Sequence, residues 1–110
     1  MSNVRAHVSP PPSAEVGVTF LPPAEGGRRR GVSLCGGQYR PHLVVGSGAY
    51  LGVAFVGGPK ELVLPGSTAT GSVAFMYEPG VNYDAVSEGV TFKVMEGTSV
   101  VATGRVLRRI

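Results

Sequence analysis

Apolar residues along this chain recur at every second position in short runs. Val4, Ala6 and Val8 share one face, with Arg5 and His7 on the other. Val16, Val18 and Phe20 repeat the pattern around Gly17 and Thr19. Leu43 to Val45 is a short continuous run. Ala49 to Val56 reads as a longer strand with Gly52 inside it, a mark of a bulge or of a close backbone approach. Glu61 to Leu64 predicts a short strand stopped by the turn signal Pro65-Gly66. Thr68 to Tyr77 alternates loosely. Val90, Phe92 and Val94 alternate with Thr91, Lys93 and Met95, and Ser99 to Leu107 closes the chain. No segment carries a helical period. About eight strands with turn signals roughly every 8–12 residues predict an all-β sandwich or barrel. A small closed antiparallel barrel fits well, because closure leaves no strand edge exposed.

Composition sharpens this picture. The 17 glycines and 9 prolines make up about a quarter of the 110 residues, which approaches the range of disordered chains. Yet 43% of residues are hydrophobic and only 15% charged, which a disordered chain would not show. The Gly and Pro residues therefore read as punctuation between strands. A chain of 110 residues closes one core, so residues 1–110 are expected to form a single domain. Pro10-Pro11-Pro12 reads as a stiff extended connector. No apolar stretch approaches the roughly 20 residues of a membrane-spanning helix, and Met1 to Arg5 opens no signal peptide. A cytoplasmic location follows as an expectation.

The net charge of +3 is small, but eight of the ten basic residues are arginine. Arginine forms planar two-pronged contacts with phosphate and carboxylate. Arg28-Arg29-Arg30 and Arg108-Arg109 are thus candidate anion-contact patches, or solvated basic segments that keep a Gly-rich chain in solution. Cys35 is the single cysteine, which excludes an internal disulfide and a thiolate cage within one chain. Its small neighbours suggest a half-buried position. His7 and His42 lie far apart and share no ligand spacing. No serine sits in a strand–turn–helix elbow, and no Gly-rich loop has the phosphate-binding pattern. Neither catalysis, a cofactor nor a metal is expected.

Three stretches lie in order along the chain. The first is Glu25-Gly26-Gly27-Arg28, followed by Tyr39-Arg40-Pro41. The second is Leu62-Val63-Leu64-Pro65-Gly66, followed by the strand Thr68 to Tyr77 and by Pro79. The third is Glu88 to Gly97, followed by Val100 to Val106. Together they resemble the C-terminal β-barrel, the third domain, of translation elongation factor Tu, over nearly the whole chain from Val4 to Leu107. The resemblance implies a closed barrel of six or seven strands. It implies contacts with aminoacyl-tRNA, with the nucleotide exchange factor and with the other two domains of that factor. Family positions that face tRNA match Arg28, Arg40, Glu96 and Gly97 here.

The departures are specific. Met95 stands where the family has arginine, and Thr98-Ser99-Val100 replaces a Gly-Arg-Thr run, so two cations are gone. His42 follows Tyr39-Arg40-Pro41 where glutamine is usual. Arg29 and Arg30 add charge beside Arg28. A glycine at a turn and an arginine stacked on Tyr39 would also serve the barrel itself. Without a GTPase domain, this chain is expected to bind no nucleotide by itself. Two function classes follow. One is a tRNA-binding barrel acting through Arg28, Arg29, Arg30, Arg40, Glu96 and Gly97. The other is a diverged, non-RNA-binding protein-interaction barrel with a translation-factor partner, and beside both stands a fragmentary relative of that factor with no role left except folding.

Overall fold

The computed structural model describes residues 10–110. The expected strand Val4–Val8, and His7 with it, lies outside them. Among the described residues the fold is all-β: six strands and one turn of 3₁₀ helix at Pro23–Glu25. The strands are β1 Ala14–Phe20, β2 His42–Val44, β3 Leu51–Gly57, β4 Thr68–Phe75, β5 Thr91–Glu96 and β6 Ser99–Arg109. They close in the order β1-β4-β3-β2-β5-β6, with β6 returning to β1, and every pair is antiparallel. No helix of the described residues is long and apolar enough to cross a membrane.

Alternation builds the core. Ala14, Val16, Val18 and Phe20 of β1 point inward and are buried. They meet Leu51, Val53 and Phe55 of β3, Val73 and Phe75 of β4, Phe92 and Val94 of β5, and Ala102 and Val106 of β6. The outward positions carry Thr19 and Thr68, whose hydroxyls share a hydrogen bond of 2.9 Å.

Several details refine the sequence pattern. Of the seven expected strands that fall within the described residues, six form. Glu61 to Leu64 forms only a single bridge, Val63 to Val32. Gly52 marks a close approach and not a bulge: a Cβ there would lie 2.4 Å from Tyr77 Cε2, while the irregularity in β3 falls between Phe55 and Gly57. Met95, expected on the polar face, is buried. Val94 pairs with Ala102 and Met95 with Val100, so Val101 is the extra residue of a bulge in β6, while Met95 is buried apart from the core cluster that holds Phe92 and Val94.

Loops close both ends of the barrel. At one end, the segment 76–90 buries Tyr83 and Val86 against Phe75. At the other, the segment 21–41 buries Val32 and Leu34, and the loop 60–66 adds Val63. Hydrogen bonds from Leu21 N to Val101 O (3.0 Å) and from Gly66 N to Phe20 O (2.9 Å) tie those loops to the strand ends. This second end holds the candidate functional residues.

Candidate functional site

The Glu25 to Arg28 turn sets the position of the first arginine. The 3₁₀ turn ends at Gly26, whose φ of 92° favours glycine. At Gly27 a Cβ would fall 1.9 Å from Leu21 O, so only glycine lets the chain fold back against β1. Arg28 leaves this turn half-buried. Its Nη1 donates to Glu96 Oε2, and its Nε donates to Arg30 O at 3.3 Å.

Glu96 ends β5, one residue before the turn into β6. Glu96 and Ser99 pair across the hairpin, with Gly97 and Thr98 between them. Gly97 has a φ of 61°, and among the described residues none other than glycine has positive φ. A positive φ at the first central residue alone is the pattern of a II′ turn. Glycine here therefore shapes the hairpin.

Tyr39 joins the two charges. Its hydroxyl donates to Glu96 Oε2 at 2.6 Å. Its ring stacks on Phe55 at 5.7 Å and tilts against Phe20 at 6.4 Å. The Arg28 guanidinium lies 5.5 Å from the ring centre. The arginine stacked on Tyr39 is thus Arg28. Burial pushes the Tyr39 phenol well above its ordinary pKa, and the hydrogen bond to Glu96 and that carboxylate's charge push it further. Tyr39 therefore stays a neutral donor that anchors Glu96. One carboxylate oxygen serves both a cation and a phenol, and the ring beneath is fixed to the core.

Of the six candidate residues, Arg28 and Glu96 form one ion pair across 68 residues of sequence, with Gly97 next to it. Arg40 is exposed, and its Nε donates to Gly37 O at 2.9 Å beside Tyr39. Arg29 and Arg30 are exposed, and among the described residues neither pairs with a carboxylate. The fold therefore gathers all six at one end, but Arg28 and Glu96 spend their charges on each other. Arg108 and Arg109 belong to the far end: Arg108 pairs with Glu15 at 3.3 Å, and Arg109 donates to Val86 O at 3.0 Å. Cys35 is half-buried, with Sγ 3.4 Å from Ser33 Oγ. His42 leans on Tyr50 at 5.8 Å. Among the described residues no three of His, Cys, Asp and Glu are grouped for a metal.

Sequence reasoning missed two elements of this end. The first is the Tyr39 hydroxyl as the link between Arg28 and Glu96. The Tyr39-Arg40-Pro41 run drew attention to Arg40 instead. The second is the pair Leu62 and Leu64, 59% and 57% exposed, beside the arginine loop. Their signal was present: in a short strand that alternates, two leucines flanking a buried valine must face water unless something covers them. A scan against protein-family models and a comparison with curated proteins found no match for this chain.

Proposed function

We propose that this chain is a binding module rather than a catalyst, of the kind that the third domain of elongation factor Tu represents. Its working surface is the barrel end that carries Arg28 to Arg30, Tyr39, Leu62, Leu64 and Glu96, and its partner is a protein. The observation that carries this reading is the neutralisation of Arg28 by Glu96 and Tyr39. It takes a central cation out of any phosphate-gripping set. What remains without a carboxylate partner among the described residues is Arg29, Arg30 and Arg40, the first two next to two exposed leucines. Arginine beside apolar surface is the composition of protein interfaces, whereas a nucleic-acid footprint is dominated by unpaired cations.

The test is a titration of the isotope-labelled chain, read by amide chemical shifts, with two purified proteins. These are the GTPase-plus-second-barrel portion of elongation factor Tu and its nucleotide exchange factor. Saturable shifts at residues 28–33, 60–66 and 95–98 with one of them are expected. Absence of binding to both sinks the translation-partner reading.

The gathering of Arg29, Arg30, Arg40 and the Gly97 turn at one end favours a second reading, a tRNA-binding barrel. That reading requires binding of aminoacyl-tRNA that weakens steeply between about 50 and 200 mM salt. It also requires that Arg28→Ala and Arg40→Ala each weaken the complex.

A further inference from the structure

Beside the Arg28–Tyr39–Glu96 cluster runs a groove of about 250 Å³, lined by Gly31, Val32, Ser33, Gln38, Tyr39 and Leu62. One wall is a minimal two-stranded ribbon. Val32 N donates to Val63 O at 3.0 Å, and Val63 N donates to Val32 O at 2.8 Å. In an antiparallel pair of this kind, the backbone groups of the flanking residues point away from the partner strand. The amides of Leu62 and Leu64 and the carbonyl of Leu62 therefore form an outer edge. Among the described residues they meet no backbone partner, while the Leu64 carbonyl accepts from Ser67 N at 3.0 Å.

Val63 is buried, and alternation turns both leucine side chains outward. They lean over Gly31: a Cβ there would lie 3.0 Å from Leu62 Cβ and 3.0 Å from Leu64 Cδ2. Two large apolar side chains thus lie side by side, exposed, and none of the described residues covers them. The charges around them are uneven. Arg29 and Arg30 are exposed without a carboxylate partner, and Arg40 and Lys60 are exposed. Glu25 and Glu61 are the exposed carboxylates next to these segments in sequence.

We infer that this edge binds an extended acidic segment of a partner protein, with apolar side chains at alternate positions. The segment adds its backbone to the Leu62–Leu64 edge. Its apolar residues cover Leu62 and Leu64, and its carboxylates reach Arg29 and Arg30. Strand addition gives affinity through the main chain and specificity through every second side chain. RNA fits less well, because the leucines offer nothing to phosphate. Nor is the Tyr39 ring open for base stacking, since it already lies against Arg28 and Phe55. This inference rests on the protein-binding reading above and names the chemistry that the partner presents.

The probe is a short synthetic peptide that alternates leucine and aspartate. It is titrated into the full chain and compared with a peptide in which lysine replaces aspartate, one in which serine replaces leucine, and a short RNA duplex. Saturable amide shifts at residues 29–33 and 60–66 are expected with the leucine–aspartate peptide alone. The variants Leu62→Ser/Leu64→Ser and Arg29→Glu/Arg30→Glu should each weaken it about tenfold or more, the loss that follows from removing one well-placed contact. All four side chains are exposed, so both variants should keep the parent's urea midpoint. The inference is overturned if the leucine–aspartate peptide does not bind, or if the serine peptide binds equally well. It is also overturned if the leucine variant binds as the parent does, or if the RNA duplex occupies the same residues in preference. Binding of an elongation-factor protein without the peptide would remove this inference and leave the function. Binding of the peptide without either protein would do the reverse.

Discussion

Tyr39 and Tyr83 sit at opposite ends of the same barrel, and each lies on a strand phenylalanine. Tyr39 stacks on Phe55 at 5.7 Å, Tyr83 on Phe75 at 4.4 Å with the rings nearly parallel. Each end also carries an arginine over an aromatic ring: Arg28 over Tyr39, Arg109 over Phe75. The difference lies in what the hydroxyls and guanidinium groups meet. Tyr83 donates to the Gly52 carbonyl at 2.6 Å and accepts from Tyr77 N at 3.3 Å, and Arg109 donates to the Val86 carbonyl. Those two groups are satisfied by uncharged backbone, although the same end pairs Arg108 with Glu15 and exposes Tyr50, Tyr77 and Ile110. Tyr39 and Arg28 both meet the Glu96 carboxylate, which is partly exposed, beside free cations and bare leucines. At the Tyr83 end the phenol is fixed by backbone, and at the Tyr39 end a partly exposed carboxylate links the phenol to a cation.

Truncation should separate the two ends most strongly. Tyr83 is 2% exposed, so Tyr83→Ala should cost about 3–5 kcal/mol, as deletion of a core aromatic does. Tyr39 is half-buried, and Tyr39→Ala should cost roughly half that, in proportion to the apolar area it keeps from water. Urea denaturation of both variants measures this. Equal losses would mean that the Tyr39 end is as much core as the other.

Removing the hydroxyls alone asks a finer question. Tyr83→Phe leaves the buried Gly52 carbonyl without that donor and should cost about 1–3 kcal/mol. In Tyr39→Phe, Glu96 keeps Arg28 and some solvent, so the loss should be about 1 kcal/mol or less. The reverse order would place the structural hydroxyl at the wrong end.

These two tyrosines also show how far the sequence could be read. The strands built on Val16, Val18 and Phe20, or on Phe92 and Val94, were legible because one face is wet and the other dry. Met95 read as a wet position but is buried without joining the core cluster of Phe92 and Val94, a cover that the alternation of β5 alone cannot show. Glu61 to Leu64 read as a strand but has a single partner, Val32, whose alternation with Leu34 is too short, between Gly31 and Gly36-Gly37, to announce a strand. The resemblance to the elongation-factor barrel implied one face for the arginine loop and the Glu96-Gly97 turn. The ion pair between Arg28 and Glu96 was not legible, since no period links residues 68 positions apart. Tyr83 escaped notice because it lies between Asn82 and Asp84, in a segment that reads as solvated loop.

Alkaline pH acts on both ends with a smaller effect. Burial is the first cause of the raised pKa of each phenol, and at Tyr39 Glu96 adds to it. An acid with a raised folded-state pKa holds its proton more tightly in the native chain. Below the ordinary tyrosine value of 10.0, both states are protonated and the phenols contribute no pH dependence. Above it the unfolded chain ionises first, so stability falls as pH rises. Tyr39→Phe and Tyr83→Phe should each make the fall in urea midpoint above pH 10.0 shallower. An unchanged slope in both variants would show that neither phenol is protected by folding.

The smallest effect is the one that bears most on binding. Arg28 and Glu96 expose 25% and 33% of their side chains, so their pairing should resemble a surface ion pair. A double-mutant cycle with Arg28→Met and Glu96→Gln should return a coupling of about 0.2–1 kcal/mol. That coupling should shrink as salt is raised, because partly exposed charges are screened. Arg109→Met at the far end removes a cation from the face of Phe75, worth about 0.5–1 kcal/mol, and no carboxylate is involved. Its cost should therefore change much less with salt. A salt-independent Arg28–Glu96 coupling would make the cluster a buried structural joint like its counterpart. A weak, screened coupling would make Arg28 and Glu96 a surface pair, held in place by the Tyr39 hydroxyl more than by their own attraction.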